Sequence, residues 1–294
     1  MKIVALCKTF GGEEWIQPMV ASIYPYVEKI VFVNSEISWV GRKGNTCKRE
    51  INGMATGRIL TKRQGQYLQV KSTMPLDKNK DKIDINDKII SLNFDTIDQL
   101  EQCTYGYDFI KKNIPCDFVM LIDTDEVWDS KDLENAIQFL KENLNYQAYR
   151  SSVYTYIKSP YWRVSPIEPL KPVCFIKSNL NDLGNNARCC GLPSIVMKTD
   201  KGEIPYHHYV YVRNHFNTVL EKIITSHVSE QALYEDMAEW IPNVWNKLPN
   251  INGGFHPAIG YKKNWFNLEV IGKDKLPKIL REKSFPIMEK FKNV

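Results

Sequence analysis

The sequence predicts an α/β fold with a mostly parallel central sheet flanked by helices. Three apolar runs, Lys2–Cys7, Lys29–Asn34 and Phe118–Ile122, are short and continuous. That is the pattern of strands buried on both faces, as in a parallel sheet. The stretches between them carry apolar residues at helical spacing, so strand and helix alternate through the first half.

Composition agrees with this class. Of 294 residues, 43% are hydrophobic and 25% charged, ordinary for a soluble globular protein with a large core. One large domain or two intimately joined halves would account for the length. No apolar run approaches the roughly 18 residues that span a bilayer. The opening Met1–Lys8 is too short a hydrophobic stretch for a signal peptide and reads as a first strand. Seven cysteines, an odd number, lie scattered without a Cys-x-x-Cys. Reduced thiols in a cytoplasm fit that usage better than a disulfide framework. A net charge of +5 permits phosphate-bearing ligands without demanding nucleic acid.

In chain order, Ile16, Met19, Val20, Ile23 and Val27 mark a helix between the first two strands, with Gly11-Gly12 breaking the chain ahead of it. This is a βαβ unit. It lacks the Gly-x-Gly-x-x-Gly of a nicotinamide site. Ser38–Met74 carries Arg42, Lys43, Lys48, Arg49, Arg58, Lys62, Arg63 and Lys71 among five glycines, with Glu50 as its one acid. Two readings stand: a solvated basic insertion, or a patch that steers an anionic substrate. Asp77–Lys88 reads as a surface loop and Ile89–Phe94 as a strand. Thr96-x-x-Gln99 has the form of a capping box ahead of a helix striped by Leu100, Cys103, Tyr107 and Ile110.

Phe118–Ile122 then runs into Asp123, Asp125 and Glu126. Residues i and i+2 of an extended segment face one side, so Asp123 and Asp125 can meet at one point where the strand leaves the core. Two adjacent carboxylates repel unless a cation sits between them. A divalent metal with hard oxygen ligands suits the pair, and its open positions suit phosphate. The carboxyl ends of strands are where open α/β sheets bind ligands. The plainer reading is that the acids end a strand and lead into a capped helix, with Asp129 or Ser130 as the cap.

The second half begins with a helix over Leu133–Leu144. Strands are expected at Ala148–Ile157, Pro172–Ile176 and Leu192–Met197, with a loop at Asn179–Gly191. All five histidines fall between 207 and 256. In Tyr206-His207-His208-Tyr209-Val210-Tyr211-Val212-Arg213 one histidine can face the core and the other the site. One imidazole could complete the coordination begun by Asp123 and Asp125, and His208 is favoured over His207. Arg213 has the fork geometry to meet a diphosphate, though surface arginine is the default. A helix follows, with Lys222 on its flank. Trp240, Trp245 and Trp265 read as core.

Together these residues resemble a family 2-type glycosyltransferase with the GT-A fold. The likeness rests on Ile3–Thr9 with Trp15 and Lys29–Ser35, on Leu121–Glu126 as an Asp-x-Asp-Glu motif, and on His207–Arg213 with Lys222 and His227 downstream. It covers roughly residues 1–245. It implies a Rossmann-like nucleotide-sugar-binding half over 1–128. The half over 129–294 would carry a mixed-sheet acceptor and catalytic region and C-terminal helices, in one continuous unit. It implies Mn2+ or Mg2+ on Asp123 and Asp125, with the donor, a UDP-sugar first, lined by Thr9, Glu13, Asn34, Glu36, Asp123, Thr124, Arg213 and Lys222. The chain has Ser35-Glu36 where many members place an aspartate. The family is typically inverting and uses an acidic general base. Asp200, Glu203 and Glu168 are candidates by position. The acceptor is open among glycan, protein side chain, small molecule and modified nucleic acid. Two alternatives stand beside this reading: a metal-dependent nucleotidyltransferase, and a non-catalytic sugar- or nucleic-acid-binding module on the same fold.

Overall fold

The computed structural model describes residues 1–10, 13–36, 58–63, 66–71, 88–181, 183, 191–226, 239–251, 253–254 and 267–291. Gly11-Gly12, Arg42 to Arg49, most of 77–88, His227, His256 and Trp265 lie outside them.

A nine-stranded sheet forms the centre. Five parallel strands make its middle: β6 (Phe118–Asp123), β1 (Ile3–Thr9), β2 (Lys29–Asn34), β5 (Ile89–Asn93) and β3 (Arg58–Arg63), neighbours in that order. β4 (Gln66–Lys71) closes one side as an antiparallel hairpin with β3. Sequence reading treats this basic stretch as an insertion, whereas it extends the sheet. Its few apolar residues, Ile59, Leu60, Tyr67, Leu68 and Val70, lie among lysines, arginines and glutamines and make no continuous run by which to recognise a strand. On the other side come β11 (Val173–Lys177), antiparallel to β6, then β8 (Ala148–Arg150) and β12 (Ser194–Val196). The two halves of the chain therefore share one sheet.

Both faces of the parallel core are covered. Ile3, Ala5, Cys7, Phe32, Met120 and Ile122 pack beneath α1 (Glu13–Ile23) and α3 (Ser130–Glu142). Val4, Leu6, Val31, Val33, Val119 and Leu121 pack beneath α2 (Gln99–Asn113). Every residue of β1 is buried: Ile3–Cys7 as its apolar run requires, and Lys8 and Thr9 with their polar ends bonded at the strand's carboxyl end. α2 comes so close that a Cβ on Gly106 would lie 2.4 Å from Leu6 Cδ1 and 2.6 Å from Val33 Cγ2. Its N-cap is Asp98, whose Oδ1 accepts the N–H groups of Leu100 and Glu101. Thr96, read as the cap, instead donates to Glu101 Oε2 and accepts the Asp98 N–H. Asp129 caps α3.

The expected strand over Ala148–Ile157 divides at Ser151. β8 joins the large sheet, and β9 (Ser152–Ile157) enters a second, five-stranded mixed sheet. That sheet runs β16 (Asn267–Val270), β10 (Trp162–Ser165), β9, β15 (Pro205–Tyr211) and β7 (Glu126–Val127). A hairpin of β13 (Lys198–Thr199) and β14 (Gly202–Glu203) precedes β15, and α4 (Phe216–Ser226) follows it. The C-terminal part includes helical residues at 239–243 and short helices at Lys278–Glu282 and Pro286–Glu289. Among the described residues no helix is long and apolar enough to cross a membrane.

Candidate active site

Strand order reverses between β6 and β1: the chain moves from β1 outward through β2 to β5, then returns by α2 to place β6 on the other flank. Crevices at such switch points, outside the carboxyl ends of the strands, are where α/β sheets bind ligands. Lys8 and Asp123 are register partners there, and Lys8 Nζ lies 3.0 Å from Asp123 Oδ1. Lys8 is buried and the Asp123 side chain is 24% exposed. The turn after β6 is held by Glu126, which accepts the Asp123 N–H at 2.9 Å.

Asp125 points elsewhere. The turn carries it to β15, where Glu126 pairs with His208 in antiparallel register and Tyr209 N–H donates to Asp125 O. The carboxylate is wholly buried and its two oxygens differ. Oδ2 accepts from Arg213 Nη2 at 2.5 Å and lies 3.6 Å from Lys222 Nζ. Oδ1 makes no hydrogen bond among the described residues and lies 3.5 Å from His208 Nε2. Burial opposes the charged form, but Lys222, Arg213 and His208 outweigh it and hold the carboxyl well below the usual range. For His208, burial again opposes charge, while Asp125, Glu126 and Asp123 raise its pKa overall.

The adjacent histidines face opposite sides of the strand. His207 is buried, its Nδ1 2.8 Å from the Tyr156 hydroxyl, within a column of Tyr156, Tyr209 and Trp15 rings. Burial pushes its pKa down to about 3. It is a core histidine in this arrangement, whereas His208 is the one that meets Asp125.

An orphaned, buried carboxylate oxygen opposite an imidazole nitrogen fits a divalent ion. Asp125 Oδ1 and His208 Nε2 supply an oxygen and a nitrogen donor, and Arg213 fixes the carboxylate from behind, as outer partners of metal ligands do. Asp123 borders the same edge but is held by Lys8. Among the described residues no three His, Cys, Asp or Glu side chains gather closely enough to form a complete protein cage. Remaining positions of such an ion would fall to substrate oxygens and water.

The other expected residues divide. Glu168 joins the site: it faces Thr155 and His208, and burial raises its pKa while those two pull it back. Thr155 and His208 are register partners. Glu203 is exposed and bound to Lys171 and Ser152, which lower its pKa. Asp200 sits exposed in the β13–β14 turn. Thr9 and Asn34 are buried and bonded to each other at 2.5 Å, and Asn34 also donates to Ser91 and Leu92, so their side chains stitch strand ends together. Glu13 opens α1, Thr124 is buried in the turn, and exposed Glu36 donates its N–H to Asp95.

Lys8 and Glu14 have no role in the sequence reading, and Glu126 figures there only as an acid after the strand and the last residue of the Asp-x-Asp-Glu motif. Lys8 had a signal, a lysine inside an otherwise apolar strand. Glu14, whose Oε1 accepts the Asn214 N–H at 2.8 Å, had none beyond being an acid in a first helical turn.

The chain matches no family model and no curated protein. It is similar to several solved structures. S. aureus TarS 1-349 shares 10% identity over 80% of this chain and 68% of its own, with a TM-score of 0.36. The same protein in complex with UDP gives 11%, 86%, 75% and 0.36 in that order. Mannose-1-phosphate geranyltransferase from Thermus thermophilus gives 13%, 61%, 51% and 0.30. At these identities and scores no activity is carried across.

Proposed function

We propose that the chain is a glycosyltransferase that moves a sugar from a nucleotide-sugar donor to an acceptor hydroxyl or amine, with inversion. The observation that carries the reading is the meeting of Asp125 and His208, 3.5 Å apart, beside the switch point where Asp123 ends β6.

The chemistry follows from charge. Breaking the anomeric C–O bond leaves negative charge on the departing nucleoside diphosphate. Asp125 and His208, with Asp123 alongside, would hold a divalent ion, Mn2+ or Mg2+, which when bound would supply Lewis-acid stabilisation of that charge. Of the two permanent cations on Asp125, Lys222 on α4 has a side chain 19% exposed and so open to a bound anion, whereas that of Arg213 is 1% exposed and sealed against the carboxylate. Glu168 is the general base. Its raised pKa makes it a better proton acceptor than an ordinary surface carboxylate, and it lies close enough to His208 to feel its charge. Glu203 is already paired with Lys171 and is a poorer candidate.

The test is turnover of a panel of nucleotide sugars, UDP-sugars first, with and without manganese. Release of nucleoside diphosphate, lost in Asp125→Asn and His208→Ala, supports the reading. Release of pyrophosphate from a nucleoside triphosphate would favour the nucleotidyltransferase alternative, and neither product with sugar binding intact would favour the binding module.

A further inference from the structure

Behind Asp125 the polar chain continues to a residue with no assigned role. Two consecutive residues of α1 grip the segment that follows β15. The Trp15 indole N–H donates to Val212 O at 2.6 Å, and Glu14 Oε1 accepts the Asn214 N–H at 2.8 Å. Arg213 lies between these two anchors, its side chain 1% exposed. Nη2 holds Asp125 Oδ2, and Nη1 lies 3.9 Å from Glu14 Oε2. Arg213 Nε and Nη1 and Glu14 Oε2 have no hydrogen-bond partner among the described residues. A buried guanidinium with unused donors is costly unless charge compensates it. Charge is what Glu14 provides: with Asp125 it balances the two permanent cations, Arg213 and Lys222.

We propose that Glu14 is a positioning residue that acts through Arg213 on Asp125, tuning the carboxylate to hold a divalent cation. Without Glu14 the two cations face one carboxylate. Arg213 is then bound to Asp125 alone, and excess positive charge stands directly behind the oxygen that faces His208. Cation binding at Oδ1 should weaken. Binding of an anion to the same edge should not weaken, since the local charge has moved in its favour. A role confined to folding would move both in one direction. The inference rests on the transferase reading in taking Asp125 and His208 as the cation-facing pair.

The experiment measures Mn2+ affinity by electron paramagnetic resonance without nucleotide, and UDP affinity by calorimetry in chelator, for wild type, Glu14→Gln and Glu14→Asp, with thermal midpoints alongside. Glu14→Gln is nearly isosteric and should weaken Mn2+ by about 10- to 100-fold, the usual effect of losing an outer partner of a metal ligand. UDP affinity in chelator should stay equal or rise. Glu14→Asp, which keeps the charge, should fall between wild type and Glu14→Gln for Mn2+. Unchanged Mn2+ affinity in Glu14→Gln overturns the inference and leaves the transferase reading intact if UDP still binds. A joint fall of Mn2+ affinity, UDP affinity and thermal midpoint in both variants overturns it in favour of a structural role. Wild type that binds neither Mn2+ nor UDP overturns the transferase reading, and the inference with it.

Discussion

His207 and His208 show how far one position along a strand changes the chemistry of a side chain. His208 faces Asp125 and is drawn toward the charged form, whereas His207 is sealed among rings and held neutral. The folded pKa of His207, about 3, lies below its ordinary value of 6.5. Between those values the unfolded chain binds a proton that the folded chain refuses. This contribution to stability is complete above the ordinary value and is lost as pH falls toward the folded one, at up to about 1.4 kcal/mol per pH unit. His207→Gln should flatten that part of the stability–pH curve relative to wild type in urea titrations. Equal slopes would mean the imidazole protonates without penalty. Glu168 makes a prediction about turnover rather than stability. Glu168→Gln should lower kcat by about 10²- to 10⁴-fold, the usual worth of a positioned base. Donor binding by calorimetry should stay close to wild type, because the role proposed for Glu168 is on the acceptor.

At the scale of elements, α2 is fitted to the sheet by the absence of a side chain. Gly106→Ala would drive a methyl group into Leu6 and Val33, both buried in the core beneath α2. Overpacking of this kind costs about 1–3 kcal/mol. The thermal midpoint should fall accordingly, and a midpoint at or above wild type would show that α2 can lift off the sheet freely. The elements built on apolar pattern were legible from sequence: β1, β2, β5, β6 and the helices between them carry their burial in their residues. So was the alternation of His207 and His208, which follows from strand geometry. The β3–β4 hairpin was not, since its scattered apolar residues, Ile59, Leu60, Tyr67, Leu68 and Val70, are outnumbered by charged and polar ones. Arg213 and Lys222 were named as donor-binding residues, but their pairing with Asp125 was not legible. Arg213 and Lys222 lie 88 and 97 residues beyond it, and no local spacing links them to it. Glu168 had only its position in the chain to recommend it, as did Asp200 and Glu203, and its place near His208 follows from the tertiary fold.

For the whole molecule, the edge of the sheet away from the candidate site is basic in sequence. Arg42, Lys43, Lys48 and Arg49 lie outside the described residues, upstream of β3. Replacing the four by neutral residues should weaken capture of an anionic donor or acceptor and flatten its dependence on salt, since exposed charges are screened within about 10 Å at 0.1 M ionic strength. An unchanged salt profile with unchanged KM would leave them as a solvated surface.

The contacts that α1 makes beyond β15 also set the order in which the molecule can form. Trp15 reaches Val212 across 197 residues and Glu14 reaches Asn214 across 200. During synthesis from the N-terminus, α1 emerges early and must wait for most of the chain before its first turn is bonded. Long-range pairings of this kind slow folding and leave apolar surface open meanwhile. Trp15 is part of that surface, because its stacking partner Tyr209 belongs to the same late strand. A fragment ending before Pro205 should therefore show Trp15 in a wet, quenchable environment and should aggregate at concentrations where the full chain is monodisperse. Native-like shielding of Trp15 in that fragment would mean the early βαβ unit closes over it without help from β15.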